Sequence, residues 1–202
     1  MAPRPTRLER YFGPAPEPSP APQEPLRGLP PGEWADRGVY RMEARIPYGE
    51  IPGIPPSRTP EEQISRVAPC GAAAPLVFLE LETRGLAGGA GTYAFLCGLG
   101  WTEGEALRVV QFFLTSPARE GAWLDALARS VPEEPGFVTY NGRVFDLPLL
   151  AARFALHRLP VPWRERGHLD LLPLARHYYR GRLPSCRLGD LEAHVLGRTR
   201  ES

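Results

Sequence analysis

FLELETRGLAGG (residues 78–89) places two glutamates, Glu80 and Glu82, one residue apart inside an apolar run that then breaks into glycine. With Leu76 and Val77 in front of it, the run LVFLELE reads as a strand. Its neighbours on both faces are apolar, the pattern of a central strand covered on two sides. Side chains two apart on a strand share a face, so Glu80 and Glu82 project together at roughly 6.5 Å spacing. A solvated face would be polar at every second position, yet this one also carries Leu76 and Phe78. Two unpaired carboxylates beside a covered surface are costly, so a cation is expected against them. Either an arginine supplies it, or a hard divalent ion does if a third carboxylate converges, because Mg2+ prefers oxygen ligands.

Downstream, Gly85, Gly88, Gly89 and Gly91 supply a flexible connection. TYAFLCGLGW and ALRVVQFFL follow as two further strands joined by a tight turn at Glu103-Gly104-Glu105, which predicts an antiparallel meander. Ser116-Pro117 is an N-cap and first-turn pair for a helix reaching about Ser130. PGFVTYNG is the next strand, entered after a crossover helix and therefore predicted parallel. Asp146 then caps a helix with Pro148 in its first turn and Leu150 and Phe154 on the buried side. A short strand at 168–171, a helix through Tyr179, an irregular RLPSCRLG and a helix from Leu188 to Leu196 complete the order β-β-β-α-β-α-β-α-α. Asp146 sits after a parallel strand at a helix start, where open α/β sheets place their ligand sites, although a plain N-cap fits it equally.

The bulk numbers bound these readings. A chain of 202 residues suits one domain plus a tail. Lys+Arg 24 against Asp+Glu 23 gives no argument about a polyanionic partner, but the distribution is uneven. Every one of those cations is arginine, and from Arg143 onward eleven arginines face six acids, an excess of 11 − 6 = +5. Cys70, Cys97 and Cys186 are odd in number and far apart, which indicates neither a disulfide framework nor a zinc knuckle. MAPRPTRLER lacks the apolar core of a secretion signal, and no apolar run approaches the roughly 20 residues that span a bilayer. A cytoplasmic protein with no membrane partner is the expectation.

Seventeen of the 25 prolines fall in the first 75 residues. Residues 1–33 read as a proline-rich disordered tail, with docking to a proline-reading protein partner as the other reading. Residues 34–75 alternate well enough for one or two short strands but are cut by Pro47, Pro52, Pro55 and Pro56, and read as an irregular extension packed on the domain. The compact domain is expected over residues 76–202.

LELETRGL resembles the first motif, Asp-x-Glu-Thr-x-Gly, of the DEDD 3′-to-5′ exonucleases, and YNGRVFDLPLL resembles their second. More narrowly, ELETRGLAGGAGTYAFLCGLG, QFFL, TYNGRVFDLPLL, HLDLL and LPSCRLGDLE, in that order over about residues 76–196, resemble the YprB-type ribonuclease H-like domain family. The resemblance implies a ribonuclease H-like α/β fold: a mixed sheet, three antiparallel strands plus parallel ones, flanked by helices. It implies a metal-dependent nuclease using two Mg2+ or Mn2+ ions on DNA or RNA, 3′-to-5′ on single strands, with Glu80, Glu82 and Asp146 as the metal-binding and catalytic acids. Thr83, Tyr140 and Asn141 match positions near the substrate strand or the metal ligands, although an aromatic at the end of a strand is also ordinary core. Two departures bear on activity. Glu80 stands where the motif has aspartate. The family's last motif, a His or Tyr with an aspartate four or five residues on, has no match before Ser202, so the fold is expected to be C-terminally incomplete. Both departures raise the alternative of a catalytically impaired nucleic-acid-binding or scaffold domain of the same fold.

Overall fold

The computed structural model describes residues 28–51, 76–85, 92–132, 136–162 and 167–198. Expectations for residues 1–27 and 52–75, including the proline-rich tail and its protein partner, lie outside the described residues.

Among the described residues seven strands form one sheet: β1 (Gly32–Asp36), β2 (Val39–Pro47), β3 (Leu76–Arg84), β4 (Tyr93–Glu103), β5 (Ala106–Leu114), β6 (Gly136–Thr139) and β7 (His168–Asp170). Their order is β1-β2-β5-β4-β3-β6-β7. The meander β3-β4-β5 is antiparallel, and the two-residue loop Gly104-Glu105 closes its second hairpin, with Gly104 at φ 64° where a side chain would be strained. β6 and β7 add to β3 in parallel, as crossover connections require. Residues 34–75 differ from their expected irregularity in the first third. β1 pairs with β2 across a register shift between Trp34 and Asp36, and β2 pairs without interruption with β5 from Val39↔Leu114 to Pro47↔Ala106, so the two strands widen the sheet instead of lying on it.

Among the described residues four helices flank the sheet: α1 (Glu120–Ser130), α2 (Asp146–Leu156), α3 (Leu171–Tyr179) and α4 (Leu188–Leu196). α1 and α2 cover one face. Trp123, Leu124, Leu127, Leu150 and Phe154 are fully buried against Val77, Leu79, Leu81, Leu99 and Phe112. Each side chain of that size contributes about 1.5–3 kcal/mol by leaving water. Trp123 Nε1 donates to the Phe112 carbonyl at 3.0 Å, which satisfies the indole inside the core. On the other face a smaller cluster of Leu76, Val138 and Leu169, with Phe78, Leu171 and Leu174 against it, seats α3. Among the described residues no helix is long and apolar enough to cross a membrane.

Candidate active site

β3, β6 and β7 run parallel, so their carboxyl ends meet along one edge. Pairing ends at Phe78↔Val138 between β3 and β6 and at Thr139↔Asp170 between β6 and β7. Past those points lie Glu80 on β3, the loop of residues 140–145, and Asp170 at the end of β7.

The loop is built for a tight return. Asn141 adopts φ 67°, and a Cβ on Gly142 would come within 2.5 Å of Thr139, so only glycine fits. Asp170 clamps it: one carboxylate oxygen accepts from Asn141 N at 2.8 Å and from Leu172 N at 3.0 Å, the other from Arg143 N at 3.1 Å. That carboxylate therefore caps α3 and holds the loop at once. Behind it, Thr139 Oγ1 lies 2.8 Å from His168 Nε2, and burial, then the charge of Arg143, push that imidazole below its ordinary value.

Asp146 is the first residue of α2, not its cap. The cap position is Phe145, without a side-chain hydrogen bond, and the Asp146 carboxylate accepts from its own N–H and from Leu81 N–H. The expected N-cap is corrected by a long-range partner: β6 ends before it reaches Leu81, and that strand N–H draws the carboxylate across. Asp146 is 7% exposed, and burial first, then the charges of Glu80 and Asp170, raise its carboxyl from 3.8 to about 6 against those two hydrogen bonds.

Glu80 and Asp146 line one cavity of about 330 Å3 on the sheet face opposite α1 and α2. Its floor is bare because the cross-strand partners of Glu80 and Phe78 are Gly98 and Gly100. A Cβ at either glycine would meet its neighbours at 3.7 Å or more, so they are not needed for the backbone; they keep the face open. Glu82 shares the face of Glu80 and is exposed as Glu80 is, but it lies at the β3–β4 irregularity and lines neither this cavity nor the one beside it. Thr83 is half-buried beside it, opposite Ala94. Tyr140 is half-buried on the cavity wall with its hydroxyl donating to the Cys186 carbonyl, and Asn141 is exposed. The expected residues thus divide: Glu80, Asp146 and Tyr140 come together, and Glu82 and Thr83 stand apart.

Among the described residues no three His, Cys, Asp or Glu side chains form a metal-holding group. A divalent ion fits the donors in one respect and not in another. The negative charge crowded around Asp146 is what a hard cation would neutralise, and Glu80 and Asp146 supply oxygens to one cavity. The third carboxylate nearby, Asp170, is already committed to backbone N–H groups. Asp170 and the glycine pair carry little signal in the sequence beyond glycine at alternate positions of a strand, Gly98 and Gly100.

A mixed sheet of this order, flanked by helices and carrying acids on its carboxyl edge, defines an α/β domain of the ribonuclease H type. A family model described as RNase_H superfamily matches residues 77–202, and the chain belongs to that superfamily. It is similar to the uncharacterized protein YprB of Bacillus subtilis (strain 168), 37% identical over 123 residues, which are 60% of this chain and 30% of that protein. The chain thus spans less than a third of that relative's length. The fold is of a nuclease type, and folds of this kind generally use divalent metal ions.

Proposed function

We propose that the protein is a metal-dependent nuclease that hydrolyses phosphodiester bonds of DNA or RNA, acting 3′-to-5′ on single strands. The observation that carries this reading is Asp146: a carboxyl group buried with no cation among the described residues against it, beside Glu80 and Asp170, on the open wall of a cavity. A carboxyl raised by burial and by neighbouring charge on the wall of a cleft is the kind of group that functional sites hold. In this reading Glu80 and Asp146 hold Mg2+ or Mn2+, and Glu82 joins when a strand is bound. Such an ion supplies Lewis-acid polarisation of the phosphoryl oxygen and an acidified water. The chain's own work is positional: Leu81 N–H fixes the Asp146 carboxylate, Asp170 fixes the loop that presents Tyr140 and Asn141, and the bare glycines admit the strand. Thr83 supports the bulged end of β3.

The test is degradation of 5′-labelled oligonucleotides with Mg2+ or Mn2+. A ladder shortening from the 3′ end, abolished by Asp146→Asn, is expected; no degradation of DNA or RNA in either metal contradicts the reading. The placement of Glu82 outside the cavity favours one alternative, a catalytically impaired nucleic-acid-binding domain. It predicts an intact oligonucleotide bound equally well by the parent and by Asp146→Ala.

A further inference from the structure

A second cavity, about 550 Å3, adjoins the first and shares Tyr140 and Leu188 with it. Arg176 and Arg180 reach it from the last turn of α3 and its C-cap, and Arg187 from the N-cap of α4. We propose that this cavity binds the phosphodiester backbone of a single nucleic-acid strand whose end lies over Glu80 and Asp146. The proposal rests on the nuclease reading and names the path its substrate takes.

Charge is the first argument. On the antiparallel side of the sheet three arginines are neutralised by acids: Arg41 by Glu33 and Glu43, Arg108 by Glu43 and Glu103, Arg45 by Glu103. Between the helices, Arg153 meets Glu120. Arg176, Arg180 and Arg187 are exposed, and none makes an ion pair or side-chain hydrogen bond with a described residue. Asp190, the nearby acid of α4, is engaged by Ser185 Oγ, and Asp170 by backbone N–H groups. A helix C-terminus attracts cations, which accounts for Arg176 and Arg180 on α3 but not for Arg187 at the opposite kind of terminus. Three arginines from two elements line one concavity, and the guanidinium group of each offers the planar, forked donor geometry that phosphate accepts.

Shape is the second. The cavity is of nucleotide size, within the roughly 300–1,000 Å3 of ordinary ligand sites. Its shared wall is the Tyr140 ring, held in place by the hydroxyl bond to Cys186 and close enough to Arg176 for that charge to act on the phenol. An aromatic face beside a basic groove is how single strands are held without sequence preference, because every base can stack. A duplex keeps its bases stacked on one another and offers none to Tyr140.

The test is fluorescence anisotropy with labelled single-stranded oligonucleotide in metal-free buffer across a salt series. The triple variant Arg176→Ala, Arg180→Ala, Arg187→Ala is expected to bind more weakly. Its slope of log affinity against log salt should be flatter by about 2, at about 0.7 for each phosphate no longer neutralised. Arg37→Ala, in the β1–β2 turn, should match the parent. Thermal melting checks that the exposed substitutions leave the fold intact. An unchanged affinity and slope in the triple variant overturn the proposal, as does a parent that binds no oligonucleotide. Competition by polyglutamate as strong as by oligonucleotide also overturns it, in favour of an acidic protein surface. Arginine-dependent binding without cleavage in any metal sinks only the nuclease reading. Cleavage that needs Asp146 but not the arginines sinks only this one.

Discussion

Two carboxylates at the two ends of helix α2 are buried almost equally and held in opposite ways. Glu120, 2% exposed, sits under the last turn of α2. Its oxygens take both donors of Arg153, one at 2.7 Å, and meet His157 Nε2 at 2.7 Å. Burial pushes its carboxyl up, but those hydrogen bonds and charges outweigh burial, and the net shift is below the ordinary 4.5. Asp146, 7% exposed at the first turn of the same helix, has two backbone N–H donors and two neighbouring acids, and its carboxyl rises to about 6. Burial cannot be the difference between them. A carboxylate buried to join helices comes with its cation; the one on the cavity wall is left without. The first pins the far end of the helix whose first residue is the second.

Removing either partner should expose this contrast. Glu120→Ala strands Arg153 between α1 and α2 and is expected to cost about 3–5 kcal/mol in urea unfolding at pH 7. Asp146→Asn should do the reverse. The native state holds the Asp146 proton more tightly than the unfolded chain does, so the stability this group contributes is present below 3.8 and lost as pH rises to about 6. Above pH 6 the asparagine variant should be more stable than the parent by up to about 3 kcal/mol, and the gain should vanish at pH 4. Glu120 titrates the other way: its contribution is present above 4.5 and disappears as pH falls through its lowered value. A parent that outlasts Asp146→Asn at pH 8 breaks the comparison.

Asp170 stands between the two, with backbone N–H groups in place of a cation. Asp170→Ala frees the loop of residues 140–145 and uncaps α3, for an expected loss of about 2 kcal/mol, with faster hydrogen exchange at Asn141 and Arg143. Smallest is Tyr140→Phe, which removes one hydrogen bond to Cys186 for about 1 kcal/mol in thermal unfolding and keeps the ring.

Local pattern carried much of this fold. The alternation of LVFLELE, TYAFLCGLGW and ALRVVQFFL gave the meander, and Leu188–Leu196 was legible as a helix, because each depends on neighbours in sequence. The place of β2 was not, since its register with β5 joins Val39 to Leu114 across half the domain. At the site, Glu80 and Asp146 were legible as acids of the sheet's carboxyl edge, and both line the cavity there. The equal standing given to Glu82 was not matched in the arrangement, because the strand irregularity at Glu82 and Thr83 has no local signature. Asp146 read as a cap because Asp before Leu-Pro is a good one; only the position of Leu81 N–H shows otherwise.

Most direct is the titration of the Asp146 carboxyl carbon by NMR, with and without Mg2+. A midpoint near 6 is expected in metal-free buffer, falling by a unit or more when Mg2+ is added and returning when the metal is chelated. A midpoint near the ordinary 3.8, unmoved by metal, would contradict it.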